Sequence, residues 1–307
     1  MQELIKNQLL KSRPNLSLAS LKTYGSLLNG LLTKMSDRND KNNSNLKFFK
    51  DNELNIIKHV NSLVNDTSKK TILAAYFILT GSDKAHKLMM DIARSVNQEI
   101  SNNKKSEKQD ENWLTQKEVT NLLNEYKLKS FNIMNQKFVK HDEMLYVRDF
   151  LLLWCYHVIP PRRSLDFVNM KIKNIDTNDD NYYRITKKEF VFNSYKTAKT
   201  YGQDAVPIQN DIQQFNKFYK QWLKINPTEY LLFDNRFNQL TSSKLTKILN
   251  RIFGAKVSVN MLRHIYVTDQ YNDTSKKSVK EVMSDMQTMA SDMGHSVAMQ
   301  KQYYKKE

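Results

Sequence analysis

Residues 160–166 read Pro-Pro-Arg-Arg-Ser-Leu-Asp. Two prolines stop the apolar run before them and set the entry to a new helix. An arginine in that first turn lies beside orphan backbone N–H groups, which already favour an anion. Asp166, three residues after Arg163, is spaced to reach back and hold its guanidinium. A second cation stands in Ser194-Tyr195-Lys196-Thr197, at the tip of a β-hairpin, where one lysine can overhang a bound anion. In Asn260-Met261-Leu262-Arg263-His264, Asn260 and Arg263 share a helix face while Leu262 and Ile265 point to the core. Met293-Gly294-His295 is followed nine residues beyond its histidine by Tyr304, with Tyr303 beside it. Forked guanidinium donors clamp oxyanions, ammonium and imidazole move protons, and a phenol attacks as a nucleophile. Each stretch alone has an ordinary reading: a surface ion pair, a solvated lysine, a capped amphipathic helix, a frayed end. Their joint occurrence is what points to chemistry.

The elements that must position these groups are mostly helical. Only six glycines and five prolines occur, and apolar residues recur at helical spacing. Leu21, Tyr24, Leu28, Leu31 and Met35 mark one face of a first helix, residues 17–36, with Ser17 as its cap. Further apolar stripes run over 48–64, 71–79 and 85–100. Residues 101–112, SNNKKSEKQDEN, contain no apolar side chain and read as a linker. A helix start follows: Thr115 and Glu118 fit a capping box, with Leu114 and Val119 as its staple. The second half has one β-like interruption, with strands expected at 182–185, 189–192 and 205–208. The expectation is a mainly α chain with a small antiparallel β-sheet. Its parts are a helical unit over 1–102, a linker over 103–112 and a second unit over 113–307.

The balance of 48 Lys+Arg against 32 Asp+Glu gives a formal net charge of +16, which predicts a polyanionic partner, nucleic acid before membrane. The basic residues do not gather on one amphipathic helix, which argues against a membrane-surface protein. The one cysteine, Cys155, lies in an apolar run and reads as core, so no disulfide framework exists within one chain. Six scattered histidines lack metal-ligand spacing, and no glycine-rich phosphate loop occurs, so neither metal nor cofactor is expected. Without a secretion signal or a membrane-length apolar run, the chain reads as intracellular and soluble, in host nucleus or cytoplasm if virus-encoded.

The order Arg163, Lys196, Asn260-x-x-Arg263-His264, Gly294-His295, Tyr304 resembles the catalytic signature of the tyrosine recombinases, the phage integrase and Xer family. The resemblance covers residues 113–307. An acidic residue three beyond the first arginine selects Arg163 over Arg162, and Asn174-Ile175-Asp176 fits the motif that closes that region. Nine residues from His295 select Tyr304 over Tyr303. The Pro-Pro-x-Arg form also resembles integrases of virophages and related eukaryotic DNA viruses. Asn260 departs from the family's usual histidine. Asparagine can donate to a phosphate oxygen but cannot shuttle a proton near neutral pH.

The resemblance implies a core-binding domain, a catalytic domain and transesterification of DNA through a 3′-phosphotyrosyl link to Tyr304. It implies catalytic roles for Arg163, Lys196, Asn260, Arg263 and His295, and supporting roles for Asp166 and His264. Lys199 and Tyr201, in the lysine loop, are expected DNA contacts. Double-stranded DNA is the implied partner, held by a homotetramer, a pair of dimers on two sites. Only three residues follow Tyr304, so protomers are expected to link through the helix of residues 277–291 or the first domain. The competing classes are a type IB topoisomerase, which uses the same chemistry to relax supercoils, and a non-catalytic DNA-binding protein on the same fold.

Overall fold

The computed structural model describes residues 2–35, 47–272 and 278–306. The chain forms two compact units, Met1–Asn102 and Asn103–Glu307. The architecture is mainly α with one small sheet.

The first unit consists of α1 (Gln2–Ser12), α2 (Leu18–Met35), α3 (Lys47–Asp51), α4 (Glu53–Asn61), α5 (Asp66–Thr80) and α6 (Asp83–Ser101). Its core gathers Ile5, Leu9, Leu28, Phe49, Ile56, Val60, Leu73 and Tyr76. Sequence punctuation sets the joint between α5 and α6. Gly81 ends α5 in the left-handed conformation (φ 76°), and the Ser82 side chain caps α6 by accepting from Ala85 N–H. Ser17 caps α2 as expected, accepting from Ser20 N–H at 3.1 Å. Helix α1 was not anticipated, although Ile5 and Leu9 are spaced by one turn and both are buried. The apolar stripe over 48–64 is two helices, α3 and α4, divided at Asn52. Position 36, the expected end of α2, lies outside the described residues.

The second unit continues with α7 (Glu107–Asp110), α8 (Gln116–Met134), α9 (His141–Val158) and α10 (Ser164–Val168). Next come β1 (Met170–Lys171), β2 (Asn181–Arg184), β3 (Glu189–Phe192), α11 (Ala198–Tyr201) and β4 (Asp204–Pro207). It closes with α12 (Ile212–Ile225), α13 (Ser242–Phe253), α14 (Val259–Asn272), α15 (Val279–Asp292) and α16 (Val297–Tyr303). The segment 103–112, read as a linker, packs on this unit. Lys306 N–H donates to Asn103 O at 2.8 Å, and Lys256 N–H to Asn112 Oδ1 at 2.8 Å. The Thr115–Glu118 capping box starts α8 as its sequence dictates.

Helix α9 forms the spine of the unit. Val147, Phe150, Leu151, Trp154, Cys155 and Val158 are buried along it. Trp154 packs at 4.8 Å on Phe150 and at 5.2 Å on Phe215 of α12. Such ring contacts add about 0.5–1.5 kcal/mol each beyond area burial. Pro160 and Pro161 end the spine and deliver Arg162 and Arg163 to the start of α10.

The sheet has the order β1-β2-β3-β4. It is mixed, not antiparallel as expected. β1 pairs parallel with β2 (Met170 opposite Asn181), while β2–β3 and β3–β4 are antiparallel. The parallel pair arises because the loop after β1 carries the chain back past its start before β2 begins. A two-residue strand leaves no alternation in the sequence to read. The loop joining β3 to β4 carries Lys196.

Candidate active site

The turn between α15 and α16, Asp292-Met293-Gly294-His295, is the floor of the site. Met293 is the C-cap of α15, Gly294 turns the chain with φ 66°, and the Ser296 side chain caps α16 by accepting from Met299 N–H. Three arginines converge on this turn. Arg163 Nη1 donates to Gly294 O at 2.6 Å. Arg263 Nη1 donates to Met293 O at 3.2 Å and to Pro161 O at 2.8 Å. Arg162 Nη1 donates to Asp292 O at 2.9 Å. The lysine loop reaches the same place, since Thr197 Oγ1 donates to Gly294 O at 3.1 Å. Lys196 itself is exposed on that loop.

The arginines differ in their surroundings. Asp166 holds Arg162, not Arg163: Arg162 Nε donates to Asp166 Oδ2 at 3.0 Å, and both side chains are wholly buried. The i,i+4 spacing wins because Arg163 is the N-cap of α10, with extended backbone that turns its side chain outward, half-buried. Arg263 is buried, and its Nε and Nη2 have no hydrogen-bond partner among the described residues. Burial lowers its pKa from the usual guanidinium value, and the nearby Arg163 charge adds to this. Burial likewise raises the Asp166 carboxyl, against the pull of Arg162.

His295 is buried, with Nδ1 3.0 Å from Ser296 O. A carbonyl can only accept, so Nδ1 carries the hydrogen and Nε2 of the neutral ring is an acceptor. Nε2 is buried with no partner among the described residues. Burial and the three neighbouring arginines push the His295 pKa down to about 4. His264 shows the same pattern. Its Nδ1 is 2.8 Å from Tyr303 O, and burial lowers its pKa to about 4.

The paired tyrosines end α16, and the structure departs here from the register counted in the sequence. Tyr303, not Tyr304, lies in the site. The Arg263 guanidinium sits 4.6 Å from its ring centre, His295 and His264 lie at 5.3 and 5.0 Å, and its hydroxyl donates to Asn260 Oδ1 at 3.3 Å. Tyr304 stacks on Tyr271 at 5.2 Å. The reason lies in the backbone. Tyr304 is the helix C-cap with extended geometry (φ −62°, ψ 137°), so its side chain leaves on the face opposite Tyr303. Flanking bonds hold the segment along α14: His264 takes Tyr303 O, and Thr268 Oγ1 accepts from Lys305 N–H at 2.9 Å.

Tyr201 is exposed on α11 and lines a cleft of about 350 Å³ with Tyr195, Asp204, Gly294 and His295. Lys199 is exposed on the same short helix. A larger cleft, about 680 Å³, lies away from these groups beside α13. Its walls include Arg148, Asp234, Arg236, Lys244, Lys247 and Arg251. Sequence reasoning missed this basic surface, although Lys244, Lys247 and Arg251 fall on one helical face. It also missed Arg162, Asp204 and Asp292, for which the only signal was the doubled arginine. Among the described residues, no group of His, Cys, Asp or Glu is arranged to hold a metal, and no helix is long and apolar enough to cross a membrane.

No model of a known protein family matches the sequence, and no curated protein matches it. Solved structures are similar to the chain, two of them as follows. One is a lambda integrase dimer bound to a COC′ core site, with TM-score 0.51 and 14% identity over 97% of this chain and 74% of that one. The other is lambda integrase(75-356), also a dimer bound to a COC′ core site, with TM-score 0.47 and 14% identity over 98% and 93% of the two chains. At this identity the first likeness shows a shared fold and nothing finer.

Proposed function

We propose that this chain is a tyrosine-type site-specific DNA recombinase, which breaks and rejoins strands through a 3′-phosphotyrosyl intermediate. One observation carries the reading. Around a single turn, Arg163, Arg263 and His295 are gathered beside Tyr303, and the buried Arg263 Nε and Nη2 and His295 Nε2 lack hydrogen-bond partners among the described residues. Buried guanidinium hydrogens left unpaired are costly, and a phosphate oxygen is the acceptor that suits them. The formal net charge of +16 and the basic cleft beside α13 agree with a DNA partner. The solved structure matched at TM-score 0.51 is of lambda integrase bound to a core site, which agrees with this substrate. The Pro-Pro-x-Arg form supports the virophage and eukaryotic-virus branch, and a pair of dimers on two sites is the assembly the reading implies.

In this reading Arg163 and Arg263 clamp the non-bridging oxygens of the scissile phosphate, and Asn260 Nδ2 donates to one of them. The phenolic oxygen attacks phosphorus, the P–O5′ bond breaks, and Lys196 gives its proton to the leaving 5′ oxygen. His295 Nε2 accepts the phenol proton; a phosphate beside it raises its basicity from the depressed value. The 5′-hydroxyl of a partner strand then reverses the step. We assign the nucleophile to Tyr304. The Tyr303 ring covers the Arg263 face that a phosphate would take, so an arriving phosphate displaces it. Tyr303 closes α16 and Tyr304 is its extended C-cap on the opposite face, so a shift of the chain by one residue there exchanges Tyr303 for Tyr304. Lys199 and Tyr201 are proposed contacts to the flanking backbone.

The test is a pool of end-labelled, nicked duplexes of randomised sequence, in which the short downstream strand diffuses away after cleavage. The expected result is a denaturation-resistant adduct whose modified peptide contains Tyr304. DNA binding without any adduct across the pool would leave a non-catalytic DNA-binding protein.

A further inference from the structure

Arg162 is the residue that the family register passes over, yet it is the most enclosed cation of the site. Its guanidinium is wholly buried and touches three segments at once. Nε bonds Asp166 of α10 at 3.0 Å. Nη1 bonds Asp204 Oδ2 at 2.5 Å, at the far end of the Lys196 loop, and Asp292 O at 2.9 Å, in the turn before His295. Its carbon lies 4.1 Å from the Phe192 ring centre and 5.0 Å from that of Tyr195, at the near end of the same loop. A Cβ on Gly294 would stand 3.0 Å from Nη2, so glycine there leaves the guanidinium its place.

A hydrophobic side chain would fill this space with less desolvation. What it cannot do is grip both ends of one loop and an adjoining turn. The loop carries Lys196, and the turn carries His295 and the Gly294 carbonyl that Arg163 and Thr197 share. Asp292 adds a further carboxyl, raised to about 6 by burial and by the charge of Asp204, so anionic groups crowd this one cation. Charge and planar fork are both needed to satisfy them.

We propose that Arg162 is a positioning residue that clamps the Lys196 loop to the His295 turn and so sets where the leaving-group acid stands. The proposal rests on the recombinase reading above. In this proposal Arg162 acts through Lys196: Nε and Nη1 make the clamp, and Nη2, against Gly294, has no hydrogen-bond partner among the described residues.

The experiment compares two substrates of one cleavable sequence, in full-length protein. In one the scissile bond is the ordinary P–O5′ ester. In the other a 5′-bridging sulfur replaces that oxygen, and a thiolate departs without an acid. Arg162→Met and Lys196→Ala should both cleave the oxygen ester slower by on the order of 10²-fold, and both should recover to within about threefold of wild type on the sulfur ester. Arg263→Ala should stay slow on both. Arg162→Lys, which keeps the charge and loses the fork, should fall between. Asp204→Ala removes only the loop end of the clamp and should give the same selective recovery from a smaller defect, which covers the case of an Arg162 variant that does not fold. Arg162→Met equally slow on both esters, or as fast as wild type on both, overturns the proposal while leaving the recombinase reading intact. Wild-type protein that cleaves neither ester removes both. Amide exchange reads the clamp without catalysis: residues 193–203 and 292–296 should lose protection together in Arg162→Met. Loss in one segment alone also overturns it.

Discussion

Gly294→Ala and Gly254→Ala form a controlled pair. Both glycines lie in the second unit and both have positive φ, 66° and 62°. Alanine at either site takes the left-handed backbone penalty, about 1–2 kcal/mol. The sites then diverge. A Cβ at Gly254 meets nothing within 4 Å, whereas at Gly294 it meets Arg162 Nη2 at 3.0 Å, Cζ at 3.1 Å and Nη1 at 3.3 Å. Arg162 cannot yield cheaply, because Asp166, Asp204 and Asp292 O hold its fork and Phe192 lies against its face. Overpacking of this kind costs about 1–3 kcal/mol. Gly294→Ala should therefore lose about 2–5 kcal/mol against about 1–2 for Gly254→Ala. For a unit of this size, each kcal/mol moves the melting temperature by about 2–4 °C. Differential scanning calorimetry should show a drop on the order of 10 °C for Gly294→Ala and about half that or less for Gly254→Ala. Equal losses in the two variants would mean that Arg162 moves freely, and the reasoning about a locked guanidinium would be wrong.

Three further outcomes are expected. Tyr304→Phe should abolish the covalent adduct and Tyr303→Phe should keep it; mass spectrometry finding the adduct lost only in Tyr303→Phe would move the nucleophile to the inner tyrosine. His295 should make the fold acid-sensitive: with its folded pKa near 4 and the unfolded value near 6.5, its contribution is complete above about pH 6.5 and lost as pH falls towards 4. Between pH 7.5 and 5 that is about 2 kcal/mol, so urea unfolding of His295→Asn should be flatter with pH by about that amount. Comparing variant with wild type matters because Asp292, raised to about 6, pulls the opposite way. Finally, Arg236→Ala and Lys247→Ala, on the basic cleft, should each lower the slope of log affinity against log salt by about 0.9 on duplex DNA. Unchanged slopes in filter binding would take that cleft off the DNA path.

Much of this molecule follows from local physics that sequence exposes. Caps at Ser17, Thr115 and Ser296, left-handed glycines at 81, 254 and 294, and the prolines at 160 and 161 punctuate the helices, because each acts within a few residues of itself. The order of the chemical groups was legible for the same reason, since side-chain type and spacing are sequence properties. Helix α1 escaped because Lys6, Asn7 and Gln8 separate its buried Ile5 and Leu9, and only packing against the rest of the unit makes that pair a core.

What the sequence could not decide are choices between near-equivalent neighbours. Arg162 and Arg163 both stand within reach of Asp166, and extended backbone at the N-cap sent one inward and the other outward. Tyr303 and Tyr304 are chemically identical, and the bonds from His264 and Thr268 fixed which one faces Arg263. The histidine tautomers depended on carbonyls supplied by the turn and the chain end. Composition and spacing therefore specified which groups the protein possesses. Long-range burial and hydrogen bonding, with energies that no local pattern encodes, determined which member of each pair meets the site.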